Sequence, residues 1–178
     1  MASATVVIAE TNGPEATAVE TLNPANLNFG SADSPEIVPA TNPLIAQADG
    51  HSFEKWLRLY VSELGDSSIV DNIKVWLSSL GGGWKTGEGI SCNLKTSAYT
   101  AAVYPTGGPV ETDSSVAVLA MPETEPGSAN IGIDGDLAGQ ILTVPSYTDW
   151  MVFQLDVSEL TPAGSVSTKT LTFQWDEM

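Results

Sequence analysis

From Phe53 to Ser62 the chain alternates strictly, with Phe53, Lys55, Leu57, Leu59 and Val61 on one phase and Glu54, Trp56, Arg58, Tyr60 and Ser62 on the other. Successive side chains of an extended backbone point to opposite faces, so a period of two marks a strand with one face on a core. The same period returns in Ile73, Val75 and Leu77 against Lys74, Trp76 and Ser78. Gly65-Asp66-Ser67-Ser68 lies between the two runs and is rich in turn formers, so they make either a β-hairpin or a crossing between the sheets of a sandwich.

The rest of the chain repeats this grammar, with almost no helical periodicity. Val6-Val7-Ile8 in residues 4–9 reads as a first strand, closed by Asn12-Gly13-Pro14. Residues 27–31, 90–94, 99–104, 115–119, 151–157 and 171–176 read as further strands, and residues 15–23 carry little pattern. About nine or ten short strands, with turn signals every 8 to 12 residues or so, predict an all-β fold: an antiparallel β-sandwich of immunoglobulin or jelly-roll type. The length suits one such domain over residues 1–178. Residues 1–46 then comprise the N-terminal strand and a Pro-rich arm. Pro35, Pro39 and Pro43 fix φ and remove backbone donors, which bars that segment from a sheet interior. It is expected to be extended, either as a crossover between sheets or as an arm docked on a neighbouring subunit.

Composition narrows the function. With 22 acidic against 6 basic residues the formal net charge is −16, and no Lys/Arg cluster interrupts it, so nucleic acid is not an expected partner. No apolar run reaches the roughly 18 residues of a membrane span. The first nine residues lack the basic and long apolar regions of a signal peptide. Cys92 is the only cysteine, so no intrachain disulfide forms, and it reads as a small buried residue. His51 is the only histidine, at a turn before a strand, where a solvated or half-packed imidazole is expected. No nucleophile elbow, phosphate loop or zinc spacing occurs, and no cofactor is expected. Asp134-Gly135-Asp136 pairs two carboxylates in a loop and is a weak calcium candidate, without the further ligands of an EF-hand. Trp56 and Trp76 fall on the outward phase of their strands. They form an exposed aromatic patch or the centre of a subunit interface, unless a second layer of the same chain covers them. Trp84 follows Gly81-Gly82-Gly83 and is either a loop-tip contact or an aromatic tucked back on its own domain.

Four blocks together resemble strand motifs of a group of tailed-bacteriophage virion proteins: Ser52-Phe53-Glu54-Lys55-Trp56-Leu57-Arg58-Leu59, Ile73-Lys74-Val75-Trp76, Val152-Phe153-Gln154-Leu155-Asp156-Val157 and Leu171-Thr172-Phe173-Gln174-Trp175-Asp176-Glu177. The similarity covers about residues 25–178. It implies a non-enzymatic β-sandwich of the virus particle, a decoration or cement protein on the capsid exterior, made in the cytoplasm of the bacterial host. The partners it implies are the major capsid protein and further copies of this chain, a trimer first among homo-oligomers, with no catalytic residues. The contacts would fall to Val6 and Ile8 of the first strand, to Ile37, Val38 and Leu44 of the arm, and to Trp56, Trp76 and Trp84. A neck, tail or head-fibre component fits the same pattern. A carbohydrate-binding module using Trp56, Trp76 or Trp84 is an alternative of another class, and a glycosidase has the weakest support.

Overall fold

The computed structural model describes residues 2–44, 50–79, 81–96, 99, 119–164 and 168–178. They form β1 (Thr5–Asn12), β2 (Val19–Leu22), β3 (Gly50–His51), β4 (Lys55–Glu63), β5 (Val70–Ser79), β6 (Gly89–Thr96), β7 (Leu119–Ala120), β8 (Ser146–Tyr147), β9 (Trp150–Val157) and β10 (Thr170–Glu177), with one 3-10 turn at Glu15–Thr17. The large sheet runs β2-β1-β4-β9-β6-β7, with β3 added on β9 and β8 on β4. A smaller sheet holds β10 and β5. Every pairing between these strands is antiparallel. No helix among the described residues is long and apolar enough to cross a membrane.

The alternation of β4 decides where the core lies. Its Leu57, Leu59 and Val61 point into a buried cluster with Cys92 and Leu94 of β6 and Met151 and Phe153 of β9. Ile73, Val75 and Leu77 of β5 close that cluster from the smaller sheet, with Leu171, Phe173 and Trp175 of β10 packed partly against it. Two layers thus share one apolar core, which is the sandwich that the pattern predicts. The link at residues 64–69 is a crossing between sheets, since β4 and β5 never pair and β5 takes β10 as its neighbour.

Three differences from the sequence reading have physical causes. Residues 27–31 are not a strand, yet Leu27 and Phe29 still pack against the core, so their apolar spacing reflects burial without a ladder. Residues 19–22 do form a strand, β2, which ends the large sheet with Val19 and Leu22 exposed and therefore shows no hydrophobic alternation. The Pro-rich segment has no regular structure, as its prolines dictate, but it is a closed loop instead of an extended arm. Ser31 N donates to Asn42 O at 3.2 Å, while the amides of Thr41 and Asn42 both donate to Val38 O. All but Tyr99 of the strand expected at 99–104, and most of the strand at 115–119, lie outside the described residues.

Candidate functional site

The inward phase of β4 begins with a charge. Lys55 is 2% exposed, and the matching phase of β1, Val6 and Ile8, continues into Glu10, which is fully buried. Lys55 Nζ donates to Glu10 Oε1 at 2.6 Å and to Ser34 O at 2.7 Å, and Asn12 Nδ2 donates to the same Glu10 oxygen at 3.2 Å. Asp33 accepts from Asn12 Nδ2 and from Gly13 N, so one polar knot ties β1, β4 and the loop that follows residue 30. Burying one of these charges alone would be costly, and the pair persists because each neutralises the other.

The outward phase of β4 is not a bare patch. Trp56 is 1% exposed, edge-on to Tyr99 at 5.2 Å and to Trp150 at 6.3 Å between ring centroids. Its indole N–H donates to Glu54 Oε2 at 2.9 Å. Arg58 stacks over the Tyr147 ring at 3.5 Å and the Trp150 ring at 4.2 Å, and its guanidinium grips Glu20 of the edge strand β2. Tyr147 Oη donates to the other Glu20 oxygen at 2.9 Å. Burial first, then that hydrogen bond to a carboxylate, pushes the Tyr147 phenol above its ordinary pKa. This cluster seals the outer face of the large sheet and anchors β2, and Arg suits it because a flat guanidinium stacks and bonds at once.

A groove of about 310 Å³ lies where β6 meets β9, lined by Trp84, Glu88, Ser91, Met121, Glu123 and Asp156 among others. Trp84 Nε1 donates to Glu123 Oε1 at 2.6 Å, and Lys169 Nζ sits 4.6 Å from the Trp84 ring. Asp156 Oδ1 lies 2.7 Å from His51 Nδ1, and its Oδ2 accepts from Ser91 Oγ. Ser, His and Asp therefore meet, but with the carboxylate in the middle. A nucleophilic relay needs the imidazole between hydroxyl and carboxylate, to take the proton from the one while oriented by the other. Here Ser91 and His51 both bond Asp156, which links β6, β9 and β3 as a cross-strand clamp. Sequence reasoning missed the trio because its members are 40 and 65 positions apart.

The weak calcium candidates Asp134 and Asp136 sit in a tight turn. Ile133 and Asp136 exchange backbone hydrogen bonds across Asp134 (φ 52°) and Gly135 (φ 81°), a two-residue turn whose positive φ values select Asp-Gly. Asp136 Oδ1 accepts from Ala138 N, and Gly135 N donates to the Asp149 carboxylate. Among the described residues no three His, Cys, Asp or Glu side chains converge as metal ligands. Cys92 is fully buried, and desolvation pushes its thiol up to about 12.

The expected contact residues fall into two groups. Val6 and Ile8 are half-buried, packed partly against the core in the part of β1 that pairs with β4, whereas Ile37 is 2% exposed and Trp56 is enclosed, so the structure corrects these last two as surface contacts. Ile37 is drawn inward because it packs against Gly30, where an added Cβ would come within 2.6 Å of its Cγ2. Trp56 and Trp76 are on different sheets and form no common patch. Trp76 is half-buried on the outward phase of β5, Leu44 is half-buried, Val38 is exposed, and Trp84 is folded back on its own chain. No protein-family model, no curated protein and no solved structure matches this chain.

Proposed function

We propose that the chain is a non-enzymatic structural protein of a tailed-bacteriophage virion, a decoration or cement protein that binds the capsid exterior and stabilises joints between major capsid subunits. The virion assignment rests on the strand motifs. The observation that carries the contact role is the set of large apolar side chains exposed on a strongly acidic sandwich: Val19 (65%), Val38 (53%), Leu142 (58%) and Leu160 (68%). They stand on an edge strand and on loops, where they are free to meet another surface, while the ionisable side chains described above tie the chain to itself. A cement protein adds binding energy across joints that the shell alone holds weakly. Particles lacking it are expected to assemble but to rupture at lower temperature or under osmotic shock. Equal survival with and without the protein would overturn the mechanism. A neck, tail or head-fibre location uses the same surface, and position in the particle separates the two.

A second reading is favoured by the groove beside Trp84. An indole rim with Glu88, Ser91, Glu123 and Asp156 offers the mixture of aromatic and polar groups that sugars use. Titrating polysaccharides against tryptophan fluorescence tests it, and a Trp84→Ala variant that keeps the full response would exclude that groove.

A further inference from the structure

The two sheets are unequal, and among the described residues the smaller one ends on a strand with no neighbour on its far side. Among the described residues the large sheet ends on β2, four residues long, and β7, two residues long. The free side of β5 is closed by its own chain. Val70 exchanges backbone bonds with Ile141, Ile73 O accepts from Asn130 N and Ile131 N, Asn130 bonds Val75 through its side chain, and Leu77 N donates to Pro122 O. β10 has eight residues and, among the described residues, only β5 beside it. Its two register shifts place the extra residues on β5, around Asn72 and Ser78, so β10 itself is regular. A long, regular, proline-free edge is a template for another strand, and proteins ordinarily blunt such edges.

The packing behind β10 is also unfinished. Leu171 and Phe173 stand opposite Leu77 and Val75, which are 2% and 0% exposed, yet Leu171, Phe173 and Trp175 remain only partly buried. A cavity of about 330 Å³ opens between the sheets beside Lys169, Thr170 and Leu171, walled mainly by Leu27, Phe29, Leu57 and Phe153, with Lys55 also on its lining.

We propose that β10 pairs antiparallel with β10 of a second copy of this chain about a two-fold axis at Phe173, joining the two small sheets into one four-stranded layer. The sequence of the edge is self-complementary in that register. Pairing positions that sum to 346 sets Leu171 against Trp175 twice and Phe173 against itself on the inward face, with Thr172 against Gln174 on the outward face. Thr170 meets Asp176, and flanking Lys169, whose Nζ also donates to Gly83 O and sits over Trp84, comes level with Glu177, which also accepts from Ala4 N and Trp175 Nε1. No like charges oppose each other in this register, in a protein of net charge −16. Trp175 of the second copy then stands opposite Leu171, next to the cavity. The inference is independent of the virion reading and replaces the trimer expected from sequence with a dimer.

Sedimentation velocity of the full chain tests it, with two variants that share Glu at 174 and so leave its neighbour Lys74 the same partner. T172E/Q174E puts like charges opposite each other twice, whereas T172K/Q174E puts opposite charges there. We expect a wild-type dimer of twice the 18.6 kDa chain, about tenfold or more weaker dimerisation in the first variant, and wild-type or tighter dimerisation in the second. A wild-type monomer at every concentration, or two variants that dimerise alike, overturns the proposal. If a variant misfolds by circular dichroism, hydrogen exchange of the wild type decides. Protection of β10 amides that falls on dilution supports the pairing, and protection indifferent to concentration refutes it.

Discussion

Replacing Lys55 by Met leaves the Glu10 carboxylate in a site from which water is excluded, with the Asn12 amide as its remaining described donor. The side chains of Lys55 and Glu10 are 3% and 0% exposed, so solvent cannot take over the lost partner. Removing one member of a buried pair costs roughly 3–5 kcal/mol, against about 0–1 kcal/mol for an exposed pair. At roughly 2–4 °C per kcal/mol for a domain of this size, Lys55→Met should lower the melting temperature by about 6–20 °C. The loop at Ser34 loses its tie to β4 in the same step. The double variant Lys55→Met/Glu10→Met removes both charges and keeps the volume near constant, and it should recover most of that loss. Urea unfolding followed by tryptophan fluorescence measures all three proteins, with an unchanged m-value as the check that two-state unfolding holds. A single-variant cost below about 1 kcal/mol, or a double variant no better than the single, would refute the claim that desolvation governs this pair.

Cys92 should resist maleimide at pH 8 in the folded protein and react once unfolded, because its thiol is buried and pushed up to about 12. Its raised native pKa contributes stability below the unfolded value of 9.0 that is lost as pH rises toward 12. Between pH 9 and 10.5 wild type should therefore lose roughly 1.5 kcal/mol more than Cys92→Ala, and equal losses would contradict the burial. Arg58→Lys keeps the charge but gives up the stack on Tyr147 and Trp150 and the two-nitrogen grip on Glu20. It should cost about 1–2 kcal/mol in urea and speed exchange of β2 amides, and no change in either would remove the clamp from the account. Gly135→Ala forces a side chain into φ 81° and should cost about 1–2 kcal/mol by thermal melt, equally with calcium or EDTA present. Calcium-dependent melting would reopen the Asp134 and Asp136 site.

The strands β4, β5, β6, β9 and β10 were legible because each has an inward row of apolar side chains with period two, and β1 because of its apolar run Val6-Val7-Ile8. Alternation reports which face a side chain takes, and it does not report what lies over that face. Trp56 and Arg58 fall on the outward phase, and that phase alone leaves open whether an aromatic patch is exposed or covered by the same chain; Tyr99, Trp150 and Tyr147 pack over them. Glu10 carries a signal that was present in the sequence: it extends the Val6 and Ile8 phase by one step, while Lys55 does the same for the inward phase of β4, and Glu10 pairs with Leu57, two residues along β4 from that Lys. The two-residue strands β3 and β8 have no period to detect. The clamp at Asp156 needs the order of β3, β9 and β6, which is set by long-range pairing and appears in no local pattern.

The central claim, a structural protein seated on a capsid, is tested most directly by cryo-electron microscopy of particles from the source. The account predicts density for this sandwich at regular sites on the capsid lattice, at joints between major capsid subunits. Density confined to a neck or tail, or the absence of the chain from the particles, would contradict it.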